Sequence, residues 1–230
     1  MKVLITTLFT FALIGNLSFA QDEGATVSLT RPVDVAVNFT EADLQQPWIK
    51  EFRYVIVVNK ANEGSEKQTI KIFEYGSLIR KEKVSTGRDG FERKGENHSK
   101  ADSWTITPTG FYTPDFLSKD HRSSAYGGAF SGIFGGTKMP FAIFFNGGIA
   151  LHEAPKGTAG QLGKKASGGC VRLPDSLSSD LFFRIQETEG AKNPRFTVEG
   201  QPMLDMNGQQ LYSTKAKFSA LIIVKNQVRE

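Results

Sequence analysis

The chain has 230 residues, a length that suits one catalytic-sized domain with short appendages. Apolar residues make up 39%, charged residues 23%, and glycine and proline together 32 positions (23 and 9), proportions that exclude a disordered, collagenous or polytopic membrane protein. The 28 basic and 24 acidic residues give a formal charge of +4, or +3 (27 against 24) once Lys2 is cleaved away with the leader described next, too mild a surplus for nucleic acid and compatible with an anionic wall.

Residues 1–20 read as a signal peptide. Lys2 is the positive start, residues 3–17 are mostly apolar, and Ser18-Phe19-Ala20 is a small-x-small cleavage site followed by polar Gln21-Asp22-Glu23. An uncleaved anchor would need roughly 18 apolar residues, whereas Thr6, Thr7 and Asn16 interrupt this shorter run. No cysteine follows the cleavage site, which excludes a lipid anchor there. An exported protein, periplasmic or associated with the cell wall, is expected, with no membrane span after cleavage. Residues 21–50 lack periodicity and read as a leader, and residues 51–227 as the folded domain.

Residues 54–58 form a compact β-prone run, and residues 69–75 alternate Ile70 and Ile72 against Lys71. Gly76-Ser77 signals a hairpin turn into a third strand over residues 78–84. Residues 88–103, with Arg93, Lys94, Glu96, His98 and Lys100, read as a long charged loop, either over a functional site or a solvated insertion. Residues 115–139 are glycine-rich and read as irregular. Residues 141–145 and 149–151 are strands joined at Gly147-Gly148, which places His152 at the end of a hairpin. Pro174-Asp175 starts a helix of roughly three turns with Leu177, Leu181, Phe182 and Ile185 on one face. Residues 196–198 and 221–224 read as closing strands around the turn-forming Asn207-Gly208.

The lone cysteine, Cys170, has no disulfide partner and cannot build a cysteine-based zinc cluster. Two glycines, Gly168 and Gly169, precede it, a sequence that lets backbone approach a substrate and turns N–H groups toward a developing oxyanion. A thiolate is the nucleophile. At an ordinary pKa of about 8.5, roughly a tenth of the thiol is ionised near pH 7.5, so a base gains only about tenfold, or about 1.4 kcal/mol. Taken singly, Cys170 would be a small buried hydrophobe and His152 a satisfied core or surface residue.

The wider pattern resembles the L,D-transpeptidase (YkuD-type) catalytic domain. His152 is followed by fourteen residues, 153–166, and then by Ser167-Gly168-Gly169-Cys170-Val171-Arg172-Leu173, close to the family's histidine and Ser/Thr-His-Gly-Cys spacing. Val84-Ser85-Thr86-Gly87, Thr107-Pro108-Thr109-Gly110-Phe111, Met139-Pro140-Phe141 and Leu162-Gly163 extend the likeness across roughly residues 53–185. Two positions depart from it: Gly168 stands where the family usually has histidine, and Glu153 follows His152 where glycine or serine is common.

The resemblance implies a mainly β (β-rich α+β) sandwich or barrel-like domain with one helix after the cysteine. It implies that Cys170 is the nucleophile and His152 the base, with Ser167, Gly168, Gly169 and Arg172 shaping a substrate or oxyanion site. Arg172 would hold the loop or a substrate carboxylate, or form a structural ion pair. The implied reaction is acyl transfer from a peptidoglycan tetrapeptide stem to an amine, which includes the possibility of a wall-anchored protein as acceptor. An L,D-carboxypeptidase and an inactive wall-binding domain are the alternatives. No cofactor or metal is called for, Ser85, Thr86 and Thr107 are scaffold residues, and His98 and His121 are expected in solvated loops.

Overall fold

The computed structural model describes residues 31–93, 102–123, 136–215 and 217–228. The expected signal peptide, most of the charged loop, including His98, and much of the glycine-rich stretch lie outside the described residues.

A 3-10 turn, Glu41–Gln45, and a one-turn helix α1, Pro47–Lys50, precede the sheets. Strands β1 (Tyr54–Asn59), β2 (Thr69–Glu74) and β3 (Ser77–Lys83) form the expected meander. Its tight turn is Tyr75-Gly76, one residue earlier than expected, and both residues have positive φ, as this turn class requires. Short strands β4 (Phe91–Glu92) and β5 (Ser103–Trp104) pair at the base of the charged stretch, which is therefore a hairpin where it is described.

Strands β6 (Gly110–Tyr112), β7 (Phe116–Arg122), β8 (Lys138–Asn146), β9 (Ile149–Glu153) and β10 (Val171–Leu173) follow. Helix α2, Asp175–Gln186, spans the expected three turns. Strands β11 (Glu189–Ala191), β12 (Lys217–Phe218) and β13 (Ala220–Lys225) complete the chain. Two expectations need correction. Residues 115–139 contain the regular strand β7, whose run Ser118-Lys119-Asp120-His121-Arg122 lacks apolar alternation because this edge strand is largely exposed. Residues 196–198 form no ladder strand; Phe196 and Pro202 meet in an isolated bridge of an irregular ribbon that also joins Pro194 to Tyr212 and Leu204 to Gln210.

One sheet has the order β3-β2-β1-β13-β6 and a second the order β10-β9-β8-β7. The pair β1 and β13 is parallel, Tyr54 opposite Ala220 through Asn59 opposite Lys225. Between the sheets lies the main core: Tyr54, Ile56, Val58, Ile70, Ile72, Ile222 and Val224 meet Ile143, Phe145, Leu151, Val171, Leu173 and the apolar face of α2. Side-chain alternation sends Val55, Val57, Leu221 and Ile223 to the other face of the five-stranded sheet.

That outer face is also covered, and this corrects the reading of residues 21–50 as a leader over its described part. Val37, Phe39, Leu44, Trp48, Ile49 and Phe52 pack on it, with Trp48 against Phe52, Phe111 and Phe196. Each such side chain contributes about 1.5–3 kcal/mol on burial. Three buried lysines of the sheet also meet this strap. Lys60 Nζ donates to both oxygens of Asp34 (2.9 and 2.8 Å), Lys71 Nζ to Glu41 Oε1 (2.8 Å), and Lys225 Nζ to the carbonyl of Phe39 (3.0 Å). The strap escapes sequence periodicity because its apolar residues serve an irregular path rather than a helix or strand.

Candidate active site

The four-stranded sheet uses its two faces differently. One feeds the main core; Ala142, Phe144 and Ala150 lie on the other, with Cys170 packed against them. Strands β9 and β10 are parallel, with Val171 opposite Leu151 and Arg172 opposite His152. Since Leu151 and Val171 point to the core, alternation puts His152 and Arg172 on the Cys170 face. Cys170 is thus two positions before the partner of His152, about 8 Å away between Cα atoms from a strand spacing of about 4.8 Å and a rise of about 3.3 Å per residue. An imidazole and a thiol leaning toward each other can close that span. Both line one cleft of about 250 Å³, together with Ser167, Gly168, Gly169 and Arg172.

Phe141 adopts φ +54, uncommon for a bulky residue, and Lys119 and Phe141 drop out of the β7–β8 register between the pairs Ser118–Ala142 and Asp120–Pro140. Alternation slips there, so Met139 joins Ala142 and Phe144 on the cleft face. Its strand partner His121 follows, with its ring edge-on to Phe144 at 4.8 Å between centroids. His121, expected in a solvated loop, therefore belongs to the cleft side of a strand; the strict alternation that would have revealed it is broken at Phe141.

The loop before Cys170 is stitched to two neighbouring segments. Ser85 and Arg172 exchange backbone hydrogen bonds (3.1 and 2.9 Å), and Ala166 and Ser167 both donate their N–H to Thr86 O (3.0 Å each). A Cβ on Gly87 would lie 2.2 Å from Thr105 O, which explains a glycine at a position that needs no positive φ. Gly169, at φ +132, packs its backbone on Ile106 O. Thr107 Oγ1 accepts the Gly87 N–H (2.9 Å) and donates to Gly169 O (2.6 Å).

Ser167 acts inside the loop: its hydroxyl donates to Cys170 O (2.5 Å) and accepts the Gly169 N–H (3.1 Å). That engagement removes the Gly169 N–H from the expected oxyanion donors. The Cys170 N–H has no acceptor among the described residues. Arg172 Nη1 donates to Gln161 Oε1 (2.6 Å), which ties the strand to the 3-10 turn Ala159–Gln161. Gly168 lines the cleft without a side chain. Glu153 contributes only its carbonyl to the site. Its carboxyl, half-buried and on the opposite side of β9 from His152, is held above the usual range by burial and then by Asp175.

His152 is 4% exposed. Its Nδ1 lies 2.7 Å from Glu153 O, and since a carbonyl only accepts, Nδ1 carries the proton and Nε2 keeps its lone pair. Burial depresses the imidazole to a pKa of about 4, against the Glu153 hydrogen bond and with smaller contributions from Arg172 and His121. Burial raises the Cys170 thiol to about 11, against an Ala150 backbone hydrogen bond and the Arg172 charge. The thiol donates to Gly148 O at 3.7 Å, a contact that favours its neutral form. Cys170 is only half-buried at the cleft, which moderates the thiol's shift and leaves its sign. The resting pair is therefore neutral, and the gain open to a base rises from about tenfold to about a thousandfold.

Helix α2 packs on the core face of the sheet, opposite Cys170, so its N-terminus is not directed at the thiol. Among the described residues, no group of three His, Cys, Asp or Glu side chains could hold a metal, and no helix is long and apolar enough to cross a membrane.

The family model of the L,D-transpeptidase catalytic domain matches residues 53–201. Among solved structures, the chain is similar to an L,D-transpeptidase from Xylanimonas cellulosilytica DSM 15894, at 18% identity and TM-score 0.46, over 76% of this chain and 61% of that one. It is also similar to L,D-transpeptidase 3 from Mycobacterium tuberculosis (14% identity, TM-score 0.46, 76% and 62%) and to an L,D-transpeptidase from Mycobacterium smegmatis (18%, 0.44, 76% and 59%). The chain thus spans about 60% of the length of these proteins. No curated protein matches it.

Proposed function

Because the chain belongs to the L,D-transpeptidase catalytic-domain family, as the match over residues 53–201 establishes, we propose that it is a cysteine acyltransferase acting on peptidoglycan stem peptides. The observation that carries this reading is the neutral Cys170–His152 pair, one residue ahead of β10 and the other on the adjacent β9, open to one cleft beneath a glycine loop. The thiol turns from Gly148 O to His152 Nε2 and attacks the carbonyl of the third stem residue. A carbon–sulfur bond forms as the proton passes to the imidazole. The Cys170 N–H faces the resulting oxyanion. Collapse breaks the peptide bond, and the imidazolium protonates the departing D-alanine amine, leaving a thioester. An acceptor amine then attacks, His152 takes its proton, and the thiolate leaves and recovers a proton from the imidazolium.

The acceptor amine is a second stem peptide, which yields a 3-3 cross-link. A free D-amino acid or a wall-anchored protein would enter by the same chemistry. The work is done outside the cytoplasm, in the periplasm or at the wall, after cleavage behind Ala20. The mature chain incubated with disaccharide-tetrapeptides and followed by mass spectrometry should give a Cys170 acyl adduct and cross-linked dimers. Tripeptide products without dimers would replace transfer with L,D-carboxypeptidase activity. No adduct, with stem peptides or with a carbapenem, would reduce the domain to a wall-binding module.

A further inference from the structure

Lys60 is fully buried, and a buried ammonium has to be paired. Its Nζ donates to both oxygens of Asp34 and to the carbonyl of Thr107 (2.9 Å). Asp34 also receives the Thr109 N–H at 2.9 Å, and Thr109 Oγ1 donates to Val35 O at 2.6 Å. The strap therefore clasps the turn 107–109 from both sides of its backbone. From the same turn, the Thr107 hydroxyl holds the carbonyl of Gly169.

That carbonyl belongs to the peptide plane whose other half is the Cys170 N–H. In a trans peptide the C=O and N–H point in opposite directions, so a carbonyl held at Thr107 aims the Cys170 N–H away from Thr107. The Gly169 N–H is already taken by Ser167, which leaves the orientation of this single plane to decide whether an oxyanion donor faces the cleft.

We propose that Asp34, Lys60 and Thr107 are positioning residues that orient the Gly169–Cys170 peptide plane as an oxyanion donor, making the N-terminal strap part of the catalytic unit. The inference rests on the acyl-transfer reading above. It separates two chemistries of one thiol. Acylation develops an oxyanion and needs the plane; alkylation by iodoacetamide displaces iodide, develops none, and needs only the thiol and its base.

The experiment compares both rates at Cys170 in the mature chain and in Thr107→Val, Thr107→Ser and the pair variant Asp34→Asn/Lys60→Met. Thr107→Val should lower kcat for acyl transfer about tenfold or more, within the range of a lost oxyanion donor, with KM and the alkylation rate little changed. Thr107→Ser, which keeps the hydroxyl, should restore kcat. The pair variant removes the buried ammonium together with its exposed carboxylate partner, and Asp89, 3.7 Å from Lys60 Nζ, keeps Lys165, so it should melt near the wild-type temperature yet acylate slowly, because the carbonyl of Thr107 has lost its donor. Equal acylation in wild type and Thr107→Val, or equal losses in acylation and alkylation, would overturn the inference alone. A wild type that alkylates but never acylates would overturn the proposed function and this inference with it.

Discussion

His152 combines two properties that usually compete. It is almost wholly enclosed, yet the Glu153 carbonyl fixes its tautomer and leaves Nε2 unprotonated toward the cleft. Removing it should cost acylation about a thousandfold, the gain open to a base acting on a thiol raised to about 11; stopped-flow acylation of His152→Gln checks this. The pH dependence follows with a definite sign. The folded imidazole titrates at about 4 and the unfolded one near 6.5, so between those values the unfolded chain binds the extra proton. Stability is fully present above pH 6.5 and falls as the pH drops through 4, by about 3 kcal/mol in total. Urea titrations from pH 7 to 4 should show the loss in wild type and a flatter profile in His152→Gln. The acid limb of kcat/KM should lie near 4 rather than 6.5. Of the proposed site, the juxtaposition of Cys170, His152 and the loop between them was legible from residue type and spacing. The shut-off of the Gly169 N–H was not, because it depends on where the Ser167 hydroxyl turns.

At the scale of elements, the site depends on segments that hold one another through backbone contact. Gly87→Ala would force a methyl to within 2.2 Å of Thr105 O, where neither backbone yields cheaply. A destabilisation of about 3 kcal/mol, at the upper end for overpacking, is expected as a large drop in melting temperature. The strap is a second such dependence. A chain beginning at residue 51 would uncover Val55, Val57, Leu221 and Ile223 and take from Lys60, Lys71 and Lys225 their contacts with Asp34, Glu41 and the Phe39 carbonyl. It should fail to give a cooperative melt by circular dichroism, whereas a chain that keeps residues 31–50 should melt cooperatively. The strands β1, β8, β9 and β13 were legible as short β-prone apolar runs, β2 from Ile70 and Ile72 alternating with Lys71, and the helix α2 from its 3.6-residue period. Strand β7 and the strap were not: the first is an exposed edge with charged residues, the second an irregular path whose apolar side chains follow the surface they cover. His121 was hidden by a different cause, the break in side-chain alternation at Phe141, across which the β7–β8 pairing keeps its register.

For the molecule as a whole, the order of the larger sheet sets when it can exist. Strand β13 is its penultimate member, parallel to β1 and antiparallel to β6, so sequence separations of more than a hundred residues close at the sheet's centre. Contacts of that kind form late and slowly. Until residues 220–225 are available, β1 and β6 have no common partner, and the first half of the chain can assemble only an unsupported meander. Deleting residues 217–230 should therefore leave a chain without protected amides in hydrogen exchange, though Cys170 and His152 are retained. Losing the pairing of β13 alone would part β1 from β6, so the larger sheet opens at a single strand.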